Sequence, residues 1–144
     1  MKNVYLIVDF QWTLFNYKDL SELKDELDLR KIKFGYGCKI GNGCKIYNGC
    51  EFGNECTICY GCEFKYGCKI GNGCVFGIGC KFGYGCQIGN ECEIGNACKF
   101  GNACQIGNEC EFGFECQIGN GCVFGNRCKY GDGCKIPACA HVGS

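Results

Sequence analysis

The chain has 144 residues, among them 25 Gly, 19 Cys and one Pro, and its 15 basic residues balance its 15 acidic ones. That length holds one domain, and the zero net charge lacks the basic excess of a nucleic-acid binder. The longest apolar run, Val4–Val8, is too short for a membrane span or a signal peptide core, so the expectation is a cytoplasmic protein with reduced thiols and neither nucleic acid nor membrane as partner.

Residues 1–31 carry no Cys. Val8, Phe10, Trp12 and Leu14 alternate with Asp9, Gln11 and Thr13, which predicts a strand. Asp19 and Glu22 have the spacing of a helix cap, and Leu20, Leu23 and Leu27 recur at helical spacing, which predicts a helix over 20–29. This strand and helix are read as a small cap on the rest of the chain, with a partner-binding arm as the alternative.

From residue 32 onward the chain is periodic. Cys stands at every sixth position from Cys38 to Cys134, 17 times without a slip; Cys59 and Cys139 lie outside the series. Two residues after each repeated Cys comes Ile, Phe or Tyr, and then usually Gly, Asn and a small or acidic residue. Within Cys-x-Ile the first and third side chains share a face and the second points away. Each hexad is therefore a short strand with a buried Cys and Ile or Phe, followed by a corner. Gly and Asn tolerate backbone conformations that other residues avoid, so the bend is expected there. Such units bury their faces only by stacking.

Ile40-Gly41-Asn42-Gly43-Cys44-Lys45 resembles the hexapeptide repeat of left-handed parallel β-helices, and the resemblance covers residues 32–144. It implies triangular coils of three hexads, 18 residues each. The left hand is implied by the resemblance alone, since parallel crossovers are in general right-handed. Residues 32–139 fill about six coils, roughly 29 Å at the spacing of neighbouring strands. The fold class is thus an all-β solenoid, with 1–31 as cap and 32–144 as β-helix. Three inward columns follow, for example Phe34, Phe52, Ile70, Ile88, Ile106 and Phe124. Asn54, Asn72, Asn90, Asn108 and Asn126 form a corner column in which stacked amides are expected to hydrogen-bond along the axis.

The resemblance also implies an acyltransferase, since many proteins of this family use a His as general base in a cleft between subunits, often beside a loop that interrupts the coils. No His and no insertion occurs in the hexads of 32–139, which leaves His141, the sole His, as the one candidate base. The three His ligands of the family's carbonic anhydrases are missing, and Thr57 alone cannot make an ice-binding face. A thiol-based store for a soft metal is a third reading. The plainer reading is that Cys fills an apolar slot, where a buried thiol is inert. Cys56-x-x-Cys59-x-x-Cys62 arises from the repeat and is assigned no metal, and Gly71–Gly77 mimics a dinucleotide loop without its helix. No cofactor is expected.

The remaining candidates are apolar corners. Tyr60 and Ile78 stand 18 apart and should stack beside Val75; Tyr66 and Tyr84 should stack on the next corner, and Phe114 replaces another corner Asn. Exposed contiguous apolar groups mark interfaces, so a protein partner is expected at these corners. The last complete coil, 122–139, offers Phe124, Tyr130 and Ile136 at an open end, which predicts a homo-oligomer through the C-terminal coil. The reading is a non-catalytic scaffold that acts by binding or self-assembly; the alternative is a hexapeptide-repeat acyltransferase.

Overall fold

The computed structural model describes residues 2–8, 11–17, 33–46 and 48–143. From Lys33 on, the backbone is a stack of coils. Each coil contributes one two-residue strand to each of three faces, except that the last complete coil meets the third face only through a bridge between Gln117 and Lys135. The faces begin with β3 (Lys33–Phe34), β4 (Lys39–Ile40) and β5 (Lys45–Ile46). Successive strands of a face pair in parallel 18 residues apart: Phe34 with Phe52, Ile40 with Ile58, Ile46 with Phe64. The same step continues upward to Phe112 beside Tyr130 and Phe124 beside Val142. We call the faces of β3, β4 and β5 first, second and third, and name the corner after each face likewise. None of the described residues is helical, and so none belongs to a helix that would cross a membrane.

The strands are shorter than the expected three residues because the repeated Cys belongs to the corner. Its carbonyl still joins the ladder, accepting for example from Thr57 N to Cys38 O at 2.8 Å. The alternation is as expected: Lys81 is exposed while Cys80 and Phe82 are buried. The core is three columns of Ile and Phe between the faces, with every repeated Cys from Cys44 to Cys122 buried among them. Phe rings stack up the axis, Phe64 on Phe82 at 4.9 Å and Phe82 on Phe100 at 4.4 Å, and meet edge-on across it, Phe76 on Phe82 at 4.9 Å. Each fully buried Ile or Phe contributes about 1.5–3 kcal/mol, so the stack supplies a continuous core without a second layer.

The corner differs from the sequence-based expectation. The residue in the left-handed backbone region is neither the recurrent Gly after Ile nor the Asn. It is the sixth residue of the hexad, with Gly73 at φ 68° and Glu91, Ala97 and Glu109 at 58°, 57° and 59°. The Gly after Ile serves another purpose, close approach between coils. A Cβ on Gly77 would lie 2.5 Å from Tyr60 N, and one on Gly107 would lie 2.4 Å from Asn90 Oδ1. The Asn column also bonds differently from a ladder of amides. Asn72 Oδ1 accepts from the backbone N of Asn90, and Asn90 Oδ1 from that of Asn108, each at 2.8 Å. Each side chain thereby holds the backbone of the coil above it.

The N-terminal segment departs further. In place of one strand over residues 8–14 there are two, β1 (Lys2–Val8) and β2 (Gln11–Tyr17), paired antiparallel with Val8 opposite Gln11. The β-rich run Val4–Val8 makes a strand of its own, and the chain reverses between Val8 and Gln11. β1 pairs antiparallel with β3, Leu6 opposite Phe34, which extends the first face beyond the first coil. The helix expected over 20–29 lies outside the described residues.

Candidate functional site

The third face runs between the second and third corners. Its outward column is Lys45, Glu63, Lys81, Lys99, Gln117 and Lys135; Glu63 is half-buried and the others are exposed. Lys81 Nζ lies 4.0 Å from Glu63 Oε1. Strand pairing sets these side chains in one line, with Lys81 directly beside Lys99. A shallow depression of about 410 Å³ opens beside this line, lined by Lys99, Gln117 and Lys135 together with Ala97, Glu115 and Gly133 of the second corner.

In two successive coils both edges of this face are apolar. Tyr60 and Ile78 occupy the second corner, 61% and 58% exposed, and Tyr66 and Tyr84 the third corner, 59% and 65% exposed. They stand where other hexads carry Asn, and an Ile or Phe there offers no acceptor to the coil above. Where Asn returns the bond returns: Asn96 Oδ1 accepts from Phe114 N at 2.7 Å, and Asn102 Oδ1 from Asn120 N at 2.8 Å. The apolar corner residues therefore replace a stabilising bond with exposed apolar surface. The structure thus sets Tyr60, Ile78, Tyr66 and Tyr84 around one face. Val75 is exposed on the neighbouring second face, and Phe114 stands two coils above Ile78 on the same corner.

The thiols have a role that the sequence did not disclose. Each repeat thiol from Cys74 to Cys134, with Cys56 and Cys62 before them, donates to the carbonyl of the residue in the Gly slot 21 positions earlier, at 3.1–3.5 Å. These carbonyls face the interior, and among the described residues no backbone N–H donates to them. The thiol answers the general requirement that a buried acceptor be paired. Burial pushes Cys128 and Cys134 up. Within a column neighbouring thiols are coupled. Hydrogen bonds between side chains push Cys56 and Cys92 up and pull Cys74, between them, down to about 3. A column titrates as a unit, and its direction as a unit is upward: an ionised sulfur loses its bond to the carbonyl and faces that dipole's negative end in an apolar core. None of the nineteen cysteines is joined in a disulfide. Among the described residues no group of three or more His, Cys, Asp or Glu side chains is placed to hold a metal ion.

A family model described as bacterial transferase hexapeptide (six repeats) matches residues 67–102, a quarter of the chain. The matched repeats and the 18-residue parallel coils agree on the fold. The chain is a hexapeptide-repeat β-helix. No curated protein and no solved structure matches the sequence.

In this β-helix His141 is exposed, on a strand whose His141 pairs in register with Val123 on the first face. The structure thus separates it from the aromatic-edged third face. Phe124, one of the three residues assigned to an open end, is 2% exposed, because Val142 stacks above it. Tyr130 and Ile136 are half-buried, and Val142 is 45% exposed. The Tyr130 ring stacks on Phe112 at 5.2 Å, and its hydroxyl is buried with no hydrogen-bond partner. Cys59 is half-buried in its Gly slot, whereas Cys139 is exposed, its Sγ 3.3 Å from Asn120 Oδ1.

Proposed function

We propose that this hexapeptide-repeat β-helix is a non-catalytic scaffold that acts by binding and self-assembly. The observation that carries the reading is the third face, a flat row of charged side chains edged on both sides by exposed Tyr60, Ile78, Tyr66 and Tyr84. These residues displace Asn from positions where Asn holds the coil above. Exposed apolar groups gathered on two edges of one face suit contact with another protein surface. The alternative contact is the C-terminal coil, through Tyr130, Ile136 and Val142, and association that survives loss of the corner residues would point to it. Light scattering over a range of concentrations tests the reading. The wild type gains mass with concentration, and the variant with Tyr60, Tyr66, Ile78 and Tyr84 all replaced by Ser stays monomeric with its melting temperature retained. A wild type that is monomeric throughout, or a variant that associates equally well, overturns it.

The transferase named in the matching family model favours a second reading, acyl transfer with His141 as base. Calorimetric titration with an acyl-coenzyme A separates the two. Binding with saturation, weakened in His141→Ala, supports the enzyme; no heat of binding supports the scaffold.

A further inference from the structure

The third face has a charge complement elsewhere on the same molecule. In a coil of three sides the first corner lies across from the third face. The sixth residues of that corner are Gly37, Glu55, Gly73, Glu91, Glu109 and Arg127. Its charged members are exposed, and the Asn column beside them, through the bonds that join coil to coil, holds the ridge in shape. A chain of zero net charge is therefore divided across its section, basic on one face and acidic on the opposite ridge.

We propose that the acidic first corner of one copy seats on the basic third face of a second copy running antiparallel to it. The inference rests on the scaffold reading and names the partner surface. Both columns climb one coil per 18 residues, so a single register fixes every level. With the axes opposed, Lys99 faces Glu91 and Lys81 faces Glu109. The next level on one side sets Glu63 against Arg127. On the other side uncharged Gln117 meets Gly73, and Lys135 then meets Glu55. Four levels of opposite charge result, one neutral level, and no level of like charge. Two ion pairs within the chain, Lys81 with Glu63 and Arg127 with Glu109, meet as a square of alternating sign. A parallel alignment gives three opposite levels and sets Arg127 against Gln117. Two acids of the second corner border the third face, Glu115 beside the neutral level and Asp132 beside the level of Lys135. Tyr60, Ile78, Tyr66 and Tyr84 flank the seated ridge on both sides at the levels of Glu63 and Lys81.

The contact is heterologous, since the face and the ridge of one copy lie on opposite sides of the coil and meet different neighbours. It repeats as a row of coils alternating in direction. Exposed ion pairs are individually weak and screened by salt, so the row is expected at high protein concentration and low ionic strength.

Charge reversal tests this. Sedimentation equilibrium at about 0.02 M salt should show mass rising with concentration, and at about 0.5 M salt, where the screening length falls to several ångströms, a return toward monomer. Lys81→Glu with Lys99→Glu in one chain, and Glu91→Lys with Glu109→Lys in another, should each give monomers at low salt with unchanged melting temperatures. An equimolar mixture of the two variants should regain the association, because each reversed face then meets a ridge of opposite sign. A monomeric wild type at low salt, association insensitive to salt or to both reversals, or a mixture that stays monomeric overturns the proposal. The last result assigns the face to an acidic partner other than this chain. If the Ser variant of the four corner residues keeps a salt-sensitive association, the aromatic edges are dispensable and the charged contact stands. If association is lost in that variant but indifferent to salt and charge reversal, the edges stand and the charged contact falls.

Discussion

Replacing Cys92 by Ser and by Ala separates the two roles open to the buried thiol. Cys92 is fully buried and its Sγ lies 3.3 Å from the carbonyl oxygen of Gly71. Among the described residues that oxygen receives no backbone N–H. Ala removes both the sulfur and the donor. Loss of the apolar group costs about 1 kcal/mol, and leaving the carbonyl unpaired adds about 1–3 kcal/mol, for a total of roughly 2–4 kcal/mol. Ser also loses the sulfur but retains an O–H that reaches the same oxygen after a small shift of the corner, so its cost is about 1 kcal/mol. If Cys only fills volume, the order reverses, because a buried hydroxyl without a partner costs more than a methyl group. Urea unfolding under reductant, followed by circular dichroism, measures both variants against wild type. The donor role predicts a higher midpoint for Cys92→Ser than for Cys92→Ala. A Ser variant at or below the Ala variant refutes it.

Gly107→Ala should cost about 1–3 kcal/mol or more, since the added Cβ meets Asn90 Oδ1 and the Gly89 backbone and neither element can yield freely; Glu109→Gly, at φ 59°, should stay within about 1 kcal/mol of wild type because relief of the left-handed strain offsets the added chain entropy. The two are compared by thermal melts, and equal effects would contradict the assignment of the two corner positions. Stability should be level below the ordinary thiol value of 9.0 and fall as pH rises past it. Burial holds the folded thiols above that value, so the unfolded chain releases its protons first and unfolding is favoured as pH rises; a melting temperature that rises between pH 8 and about 10 would contradict this sign. Native alkylation with mass spectrometry should modify Cys139 first, with Cys59 slower and the thiols from Cys44 to Cys122 protected; rapid labelling of the core series would refute the burial.

The six-residue spacing exposes the architecture because the side-chain alternation of a strand and the need to stack leave little freedom. Cys80, Lys81 and Phe82 declare inside, outside and inside in three letters, and counting by 18 places Tyr60 beneath Ile78 before any coordinates. The corner is less legible because composition does not say which of several small residues carries the unusual backbone angle. Gly77 and Gly107 look like bend residues, yet their need is clearance from the coil below, a distance between residues 17 or 18 apart in sequence. Glu91 and Ala97 take the left-handed angle without any Gly to announce it. At the N-terminus, Val8 and Leu14 share an alternating pattern that runs through the reversal between them, so one strand was expected where β1 and β2 pair.

The thiol's role was hidden for a related reason. Its partner is a main-chain oxygen, and the direction of a carbonyl leaves no mark on the pattern of side chains. Sequence periodicity reports which side chains are buried; it does not report which backbone groups they must satisfy. A slot that needs both a small apolar body and a donor admits few residue types, and Cys meets both demands at once. The same condition bears on chemistry. A thiol that is tied to a carbonyl above an apolar column gives up a hydrogen bond to become a nucleophile or a metal ligand, so the cysteine-rich interior works against reactivity while the coil is folded. Chemistry and recognition are left to the outer surface, where the departures from the repeat gather: Tyr60, Ile78, Tyr66 and Tyr84 border the third face, and the alternation of Lys, Glu and Gln along it carries the positional information that a uniform core cannot.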